Sequence, residues 1–227
     1  MPRIGIITGL ALEADILRKP EWTDGAPLVR ASGPGLTRAY ETAQSLITEG
    51  ATALMSFGLC GGLSPRLLAG DIVLASKIIS EDTNYVCDAA WHQALSNLFP
   101  QSVLVHEGTI LSARAVAATP ERKRELHLAS GADAVDMESA AVAKVAKEAN
   151  IPFIALRAVS DPAEMALPPL ALTAMDADGG VKISAVVMSL IKHPFQLTLL
   201  PELARNSKFA QRTLKDAATA AGPSFGL

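Results

Sequence analysis

The chain holds 227 residues, 49% of them apolar and 19% charged, with a formal net charge of −3. This composition excludes an intrinsically disordered protein, and the acidic balance weighs against nucleic acid as a partner. Two cysteines, Cys60 and Cys87, exclude a disulfide scaffold and a Cys-rich zinc site, and no charge-free run reaches the roughly 20 residues that a spanning helix needs. The expected class is a cytoplasmic α/β protein with a single domain over residues 1–227.

Ile4–Ile7 reads as the first strand. The apolar run continues to Leu12 but meets Glu13 and Asp15 with no small-residue cleavage site, so it reads as a strand and turn, not a signal peptide. Pro27–Ala31 and Ala53–Phe57 are the next strands, with a helix over Leu36–Glu49 between them. Asp71–Ile79 is a longer strand, and Ser102–Val105 leads towards Ile110 after a helix at about Ala89–Leu98. Pro120–Ala129 is a helix with Thr119 as its cap and Pro120 at its first position. Then come a helix over Glu138–Glu148, the almost wholly apolar strand Phe153–Val159, and a helix over Val181–Ile191. Pro168-Pro169 and Gly179-Gly180 bracket a loop. A basic tail from about 193 is helical over Pro201–Ala221 and ends at Gly222-Pro223. Continuous apolar strands alternating with helices predict a sheet covered on both faces, that is, a three-layer α/β/α fold around a mainly parallel or mixed sheet.

Helical spacing from Ala134 to Asn150 puts Glu138, Ala141, Val142, Val145 and Ala149 on one face. A carboxylate heading an apolar face is costly without partners. Glu138 is therefore either an acid favoured by the helix dipole or a carboxylate aimed into a polar pocket, accepting ligand hydroxyls. Ser160 and Asp161 end an apolar strand, where open α/β sheets place their ligands, although Ser-Asp-Pro is also an ordinary turn. Arg157, inside that strand, needs an anionic partner, a subunit neighbour or a ligand. Glu13 follows the first strand, on the same edge as Asp161 if the strands are parallel; the plainer reading is an acid in a helix first turn. Glycines at Gly33, Gly35 and from Gly58 to Gly62 permit tight turns and let backbone N–H groups approach an anion or a sugar. Gly33, Gly35 and Ala39 also form a loose dinucleotide fingerprint, but it follows the second strand and carries Pro34 in its middle, which argues against NAD.

Together, Ile4-Gly-Ile-Ile…Glu13, Phe57-Gly-Leu-Cys-Gly-Gly-Leu63, Gly70-Asp-Ile-Val73, Val135-Asp-Met-Glu-Ser-Ala-Ala141 and Arg157-Ala-Val-Ser-Asp161 resemble the purine nucleoside phosphorylase and methylthioadenosine/S-adenosylhomocysteine nucleosidase superfamily. Ser160-Asp-Pro-Ala…Leu167-Pro-Pro…Met175-Asp-Ala-Asp, with Lys192-His-Pro and the basic tail, resembles its hopanoid-associated phosphorylase branch. The resemblance implies a sheet partly closed into a barrel and a homo-oligomer. It implies cleavage of the N-glycosidic bond of an adenine nucleoside with no cofactor, phosphate being the one candidate co-substrate. By the same resemblance Asp161 is the general acid at the purine N7, positioned by Ser160. Glu138 accepts the ribose hydroxyls and Met137 packs under the ribose. Glu13 orients an attacking water with Arg157 nearby, and the backbone around Gly33, Gly35, Gly58 and Leu59 lines the nucleophile's pocket.

This chain departs from the pattern at several positions. Leu59 stands where the nucleosidases carry Ser, and Val116 where a purine-stacking aromatic is expected. Met55-Ser56-Phe57 replaces the arginine that precedes the glycine-rich loop in many phosphorylases. Glu13 replaces their N-terminal arginine pattern and would repel phosphate, which favours water as nucleophile. The non-enzyme alternative is a nucleoside-binding module, which adenine release would separate from an enzyme. The uncharged stretch from Met165 to Met175, broken by two prolines, is expected as an apolar loop against a large, adenosylhopane-like 5′ substituent; core or subunit interface is the alternative. Residues 181–227 hold six cations (Lys182, Lys192, Arg205, Lys208, Arg212, Lys215) against Glu202 and Asp216, net +4, leaving −7 for the rest. Such a tail is either a solvated helix face or a surface that touches anionic membrane.

Overall fold

A computed structural model describes residues 3–18, 22, 25–81, 83–168 and 200–227. In chain order the elements are β1 (Ile4–Thr8), α1 (Ala11–Leu17), β2 (Leu28–Ala31), α2 (Leu36–Thr48), β3 (Ala53–Gly62), β4 (Ile72–Ile79) and β5 (Asn84–Val86). They continue with α3 (Ala89–Ser96), β6 (Val105–Ser112), α4 (Pro120–Ser130), β7 (Ala134–Asp136), α5 (Ser139–Glu148), β8 (Phe153–Asp161) and α6 (Leu200–Ala221). The helix expected over 181–191, the loop expected from 169 to 180 and the tail before 200 lie outside the described residues.

The sheet runs β2-β1-β3-β7-β6-β4-β5, and β8 pairs with both β3 and β4. The strands β3, β7, β6, β4 and β8 thereby close on themselves as a barrel, with β1 and β2 extending from β3 and β5 from β4. Strand β1 is parallel to β2 and β3, and β3 is parallel to β8. Strand β7 runs antiparallel to β3, and β8 antiparallel to β4, so the sheet is mixed.

Side chains alternate across each strand, and the alternation builds two apolar layers. Ile7 and Leu54 pack with Ala39, Ala43 and Leu46 of α2 and with Val142, Val145 and Ala146 of α5. Their chain neighbours Ile6 and Met55 belong to the other layer, with Ala14 of α1, Trp91 of α3 and Leu214 of α6. This is the expected α/β/α arrangement. Local signals behave as read: the Thr119 side chain accepts from Arg122 N, Pro120 opens α4, and Gly131 ends it at φ 68°.

Four local expectations change. The turn after β1 is the helix α1, whose N-cap is Leu10, a residue type that gives no capping signal. Strand β3 runs through the glycines to Gly62, because β8 pairs with it along its length and shifts register at Cys60/Gly61. Strands β5 and β7 hold three residues each, too few for a periodic pattern. Ala149 is the C-cap of α5 and is exposed, so the apolar face ends a turn earlier than its spacing suggests.

Candidate active site

The carboxyl ends of β1, β7 and β8 converge on the last residues of β3 around a cavity of about 200 Å³. Glu13, Leu59, Met137 and Glu138 line it, with Arg157, Ser160, Asp161 and Val116. Residues far apart in sequence are thus gathered around one cavity. Gly33, Gly35 and Gly58 are set back from the lining, and Pro34 fills the wall between the first two.

Glu13 is buried in the first turn of α1. Its Oε2 accepts from Leu10 N at 2.9 Å and its Oε1 from Leu59 N at 2.8 Å. Burial raises its proton affinity above the ordinary carboxylate, against the opposing pull of Arg157 and of the Leu59, Leu10 and Gly9 N–H groups. Gly58 makes this seat: a Cβ there would stand 2.7 Å from the Glu13 carboxylate.

Glu138 is the N-cap residue of α5 and makes no side-chain cap. Its Oε1 accepts from Gly35 N at 3.1 Å, so the Gly35 N–H serves a carboxylate of the protein itself. Its Oε2 lies 3.4 Å from Arg157 Nη2. Burial, with Asp136 and Glu13 as like charges, outweighs Arg157 and the Gly35 N–H and pushes its pKa up to about 7. Gly9 clears the space beside it, since a Cβ there would approach the Glu138 carboxyl carbon to 3.2 Å.

Arg157 is 1% exposed and sits in a knot of polar groups. Its Nη2 meets Asp136 Oδ2 at 2.9 Å and donates to Ser56 Oγ at 2.6 Å, while Nη1 donates to Leu59 O at 3.3 Å. Among the described residues its buried Nε has no hydrogen-bond partner. Burial works against the charge, but Asp136, Glu138 and Glu13 outweigh it and hold the guanidinium ionised. Ser139 Oγ donates to Asp136 Oδ2 and lies 3.0 Å from Ser56 Oγ. Three carboxylates thus surround one cation.

Asp161 closes the opposite end. Its Oδ1 accepts from Ser160 Oγ at 2.6 Å, and its Oδ2 is 2.8 Å from Lys123 Nζ. Burial raises its proton affinity, and Lys123 and the Ser160 hydroxyl pull it partway back. Gly61 leaves room for it, with a hypothetical Cβ 3.0 Å from Asp161 Oδ2. Val116 is 40% exposed at the rim, and Leu167, held by its N–H to Ala118 O, adds an apolar contact.

Sequence reasoning missed Asp136, Ser56, Ser139 and Lys123. Asp136 and Ser139 lie inside the quoted Val135–Ala141 motif, whereas Lys123 stands in the charged run Glu121–Glu125, where nothing distinguishes it. Among the described residues, no group of three or more His, Cys, Asp or Glu could hold a metal ion.

The closed mixed barrel matches the fold of nucleoside phosphorylase and nucleosidase structures. Residues 21–192 match the family model of the Phosphorylase superfamily; the chain belongs to that superfamily, whose enzymes cleave N-ribosyl bonds. A 5′-methylthioadenosine/S-adenosylhomocysteine nucleosidase of Anoxybacillus flavithermus is 28% identical over 160 residues, 61% of this chain and 69% of that one. A protein of the same name from Mycobacterium bovis is 26% identical over 175 residues, 59% and 69% of the two chains. Among solved structures, the futalosine hydrolase of Helicobacter pylori strain 26695 superposes with a TM-score of 0.69 at 20% identity, covering 96% of this chain and 97% of that one. A 5′-methylthioadenosine/S-adenosylhomocysteine nucleosidase from Helicobacter pylori gives 0.66 at 21% identity, over 94% and 98%. These two likenesses establish the fold.

Proposed function

We propose that the protein hydrolyses the N-glycosidic bond of an adenine nucleoside carrying a large apolar 5′ substituent. The observation that carries this reading is the seat of Glu13, a buried carboxylate held by the Leu10 and Leu59 N–H groups within the field of Arg157. Such a carboxylate can hold a water and take its proton. Three carboxylates around one guanidinium repel a phosphate, and the Gly35 N–H that could greet an anion is occupied by Glu138. In this mechanism water attacks C1′ and the C1′–N bond electrons leave with the purine. Asp161 donates a proton to the departing base while Glu13 receives one from the water. Glu138 accepts the ribose hydroxyls and opposes the positive charge that develops on the sugar.

The curated relatives act on methylthioadenosine and S-adenosylhomocysteine by name, and the Helicobacter pylori nucleosidase was captured with butyl-thio-DADMe-Immucillin-A. Apolar 5′ groups suit this chain as well, because Leu10, Pro34, Val116 and Leu167 make much of the cavity wall. At roughly 25 cal/mol per Å² of buried apolar surface, a polycyclic lipid such as a hopane would add several kcal/mol. The test supplies adenine nucleosides of increasing 5′ chain length, with and without phosphate, and weighs the sugar product. Free ribosyl product and a kcat/KM that rises with chain length are expected. Ribosyl-1-phosphate overturns hydrolysis, and a flat chain-length profile overturns the lipid. Glu13→Ala should slow adenine release about 10²-fold or more, the lower end of a lost general base. Fast phosphate-dependent release by that variant also overturns the reading.

The proposal extends to a cytoplasmic homo-oligomer of single-domain subunits that touches anionic membrane. Arg205, Lys208, Arg212 and Lys215 lie exposed at helical spacing on α6. Each cation near an anionic surface contributes about 1 kcal/mol. No helix among the described residues is long and apolar enough to cross a membrane. Vesicles of anionic lipid should retain the protein at low salt and release it at high salt; equal retention by neutral vesicles would refute electrostatic contact.

A further inference from the structure

Lys123 is the fourth residue of α4, and its side chain is 0% exposed although Arg122 and Arg124 on either side are in solvent. An ammonium buried to this degree survives only with its donors satisfied. Its Nζ lies 2.8 Å from Asp161 Oδ2 and donates to Asp161 O at 2.9 Å, Pro162 O at 2.8 Å and Met165 O at 3.0 Å. All these acceptors belong to one short segment, the end of β8 and the turn that follows it. That turn leads directly to Leu167 in the cavity wall. Cys60 on β3, also at this end, is kept a neutral thiol by burial, and Glu164 in the same turn is exposed.

We propose that Lys123 is the positioning residue of the general acid. It aims the Asp161 carboxyl from α4 and stabilises the carboxylate that remains once the proton has passed to the leaving base. The interaction strengthens along the reaction, because Asp161 is neutral before the transfer and negative after it, and only such an interaction accelerates the step. Ser160 fixes the other carboxyl oxygen, so the group is held at both atoms. The proposal rests on the reading of Asp161 as the acid.

The experiment compares full-length parent, Lys123→Met, Asp161→Asn and the double variant on adenosine and on 4-nitrophenyl riboside, whose leaving group departs as a stable phenolate without a proton. Lys123→Met should lose about 10- to 100-fold in kcat on adenosine, a part of the 10²–10⁴ that a general acid supplies. On the nitrophenyl substrate it should lose less than about threefold. With the ammonium gone the acid holds its proton more tightly, so the alkaline limb of the adenosine profile should move to higher pH. The double variant should be no slower than Asp161→Asn alone. Equal losses on both substrates, or an unmoved limb, overturn the proposal and leave the assignment of Asp161 standing. If Asp161→Asn itself affects both substrates alike, the acid assignment fails and the proposal with it. Should Lys123→Met not fold, Lys123→Gln keeps two donors and is judged by the same ratio of the two substrates.

Discussion

Glu13, Asp136 and Glu138 share the charge of the buried Arg157, and Glu138 carries the electrostatic cost. Its pKa of about 7 in the folded protein, against an ordinary 4.5, means that the folded state binds this proton more tightly than the unfolded chain. That stabilisation is complete below about pH 4.5 and is lost as the pH rises through about 7. Glu138→Gln removes the titration, so its Tm should change less than the parent's between pH 5 and 8. A parallel pair of Tm curves would show that Glu138 titrates normally. The same variant should lose about 10²-fold in kcat/KM, the magnitude of removing one contact to a centre where charge develops. Ribosyl substrates should suffer more than 2′-deoxyribosyl ones. Gly58→Ala probes the neighbouring carboxylate without touching it. The new Cβ would occupy space 2.7 Å from the Glu13 carboxyl atoms, at a φ of 155° that side chains avoid. Activity should fall about as far as in Glu13→Ala, with a stability loss of about 1–3 kcal/mol. Parental turnover in Gly58→Ala would mean that the seat of Glu13 does not matter.

Strands β3 and β8 were legible because both faces of each are covered, which favours the mainly apolar runs seen from Ala53 and Phe153, broken only by Ser56 and Arg157. The glycines that end β3 misled the reading of its length. Glycine usually marks a turn, but within a sheet it can mark a close approach instead. Gly58 and Gly61 remain in the strand because the carboxylates of Glu13 and Asp161 lie against them. Lys123 was illegible for a related reason. Its burial is decided by Asp161, 38 residues on, and by carbonyls that its own helix does not contain. Helix α6 was read as a helix, but its buried side was not foreseen. Ala210, Leu214, Ala217 and Ala218 repeat at helical spacing and pack with Met55 and Leu156. Leu214→Ala should therefore cost about 2–5 kcal/mol, measured by denaturant unfolding. A cost below 1 kcal/mol would return α6 to the role of a solvated appendage.

Barrel closure sets where the cavity lies, and α6 closes the opposite apolar layer. The chain end completes that layer: Phe225 is 0% exposed, meets Phe57 and Trp22 edge-on, and accepts a hydrogen bond from Trp91 Nε1 to its carbonyl at 2.7 Å. The basic segment therefore has two sides with separable jobs. Its inner side belongs to the core shared with β1, β3 and β8, and its outer side carries Arg205, Lys208, Arg212 and Lys215. Removing residues 200–227 would uncover Phe57, Trp91 and Leu156 together. An exposed apolar patch of that size promotes aggregation in a monomeric chain. The truncated protein should accumulate as insoluble material without cooperative unfolding. Changing the four exposed cations to Glu should leave Tm within a few degrees of the parent, because surface substitutions usually move stability by less than about 0.5 kcal/mol. It should also leave kcat on a short, soluble adenine nucleoside unchanged while abolishing retention by anionic vesicles. A soluble, active truncation would show that the inner side is dispensable, and undiminished vesicle retention by the charge-reversed protein would place any membrane contact elsewhere on the molecule.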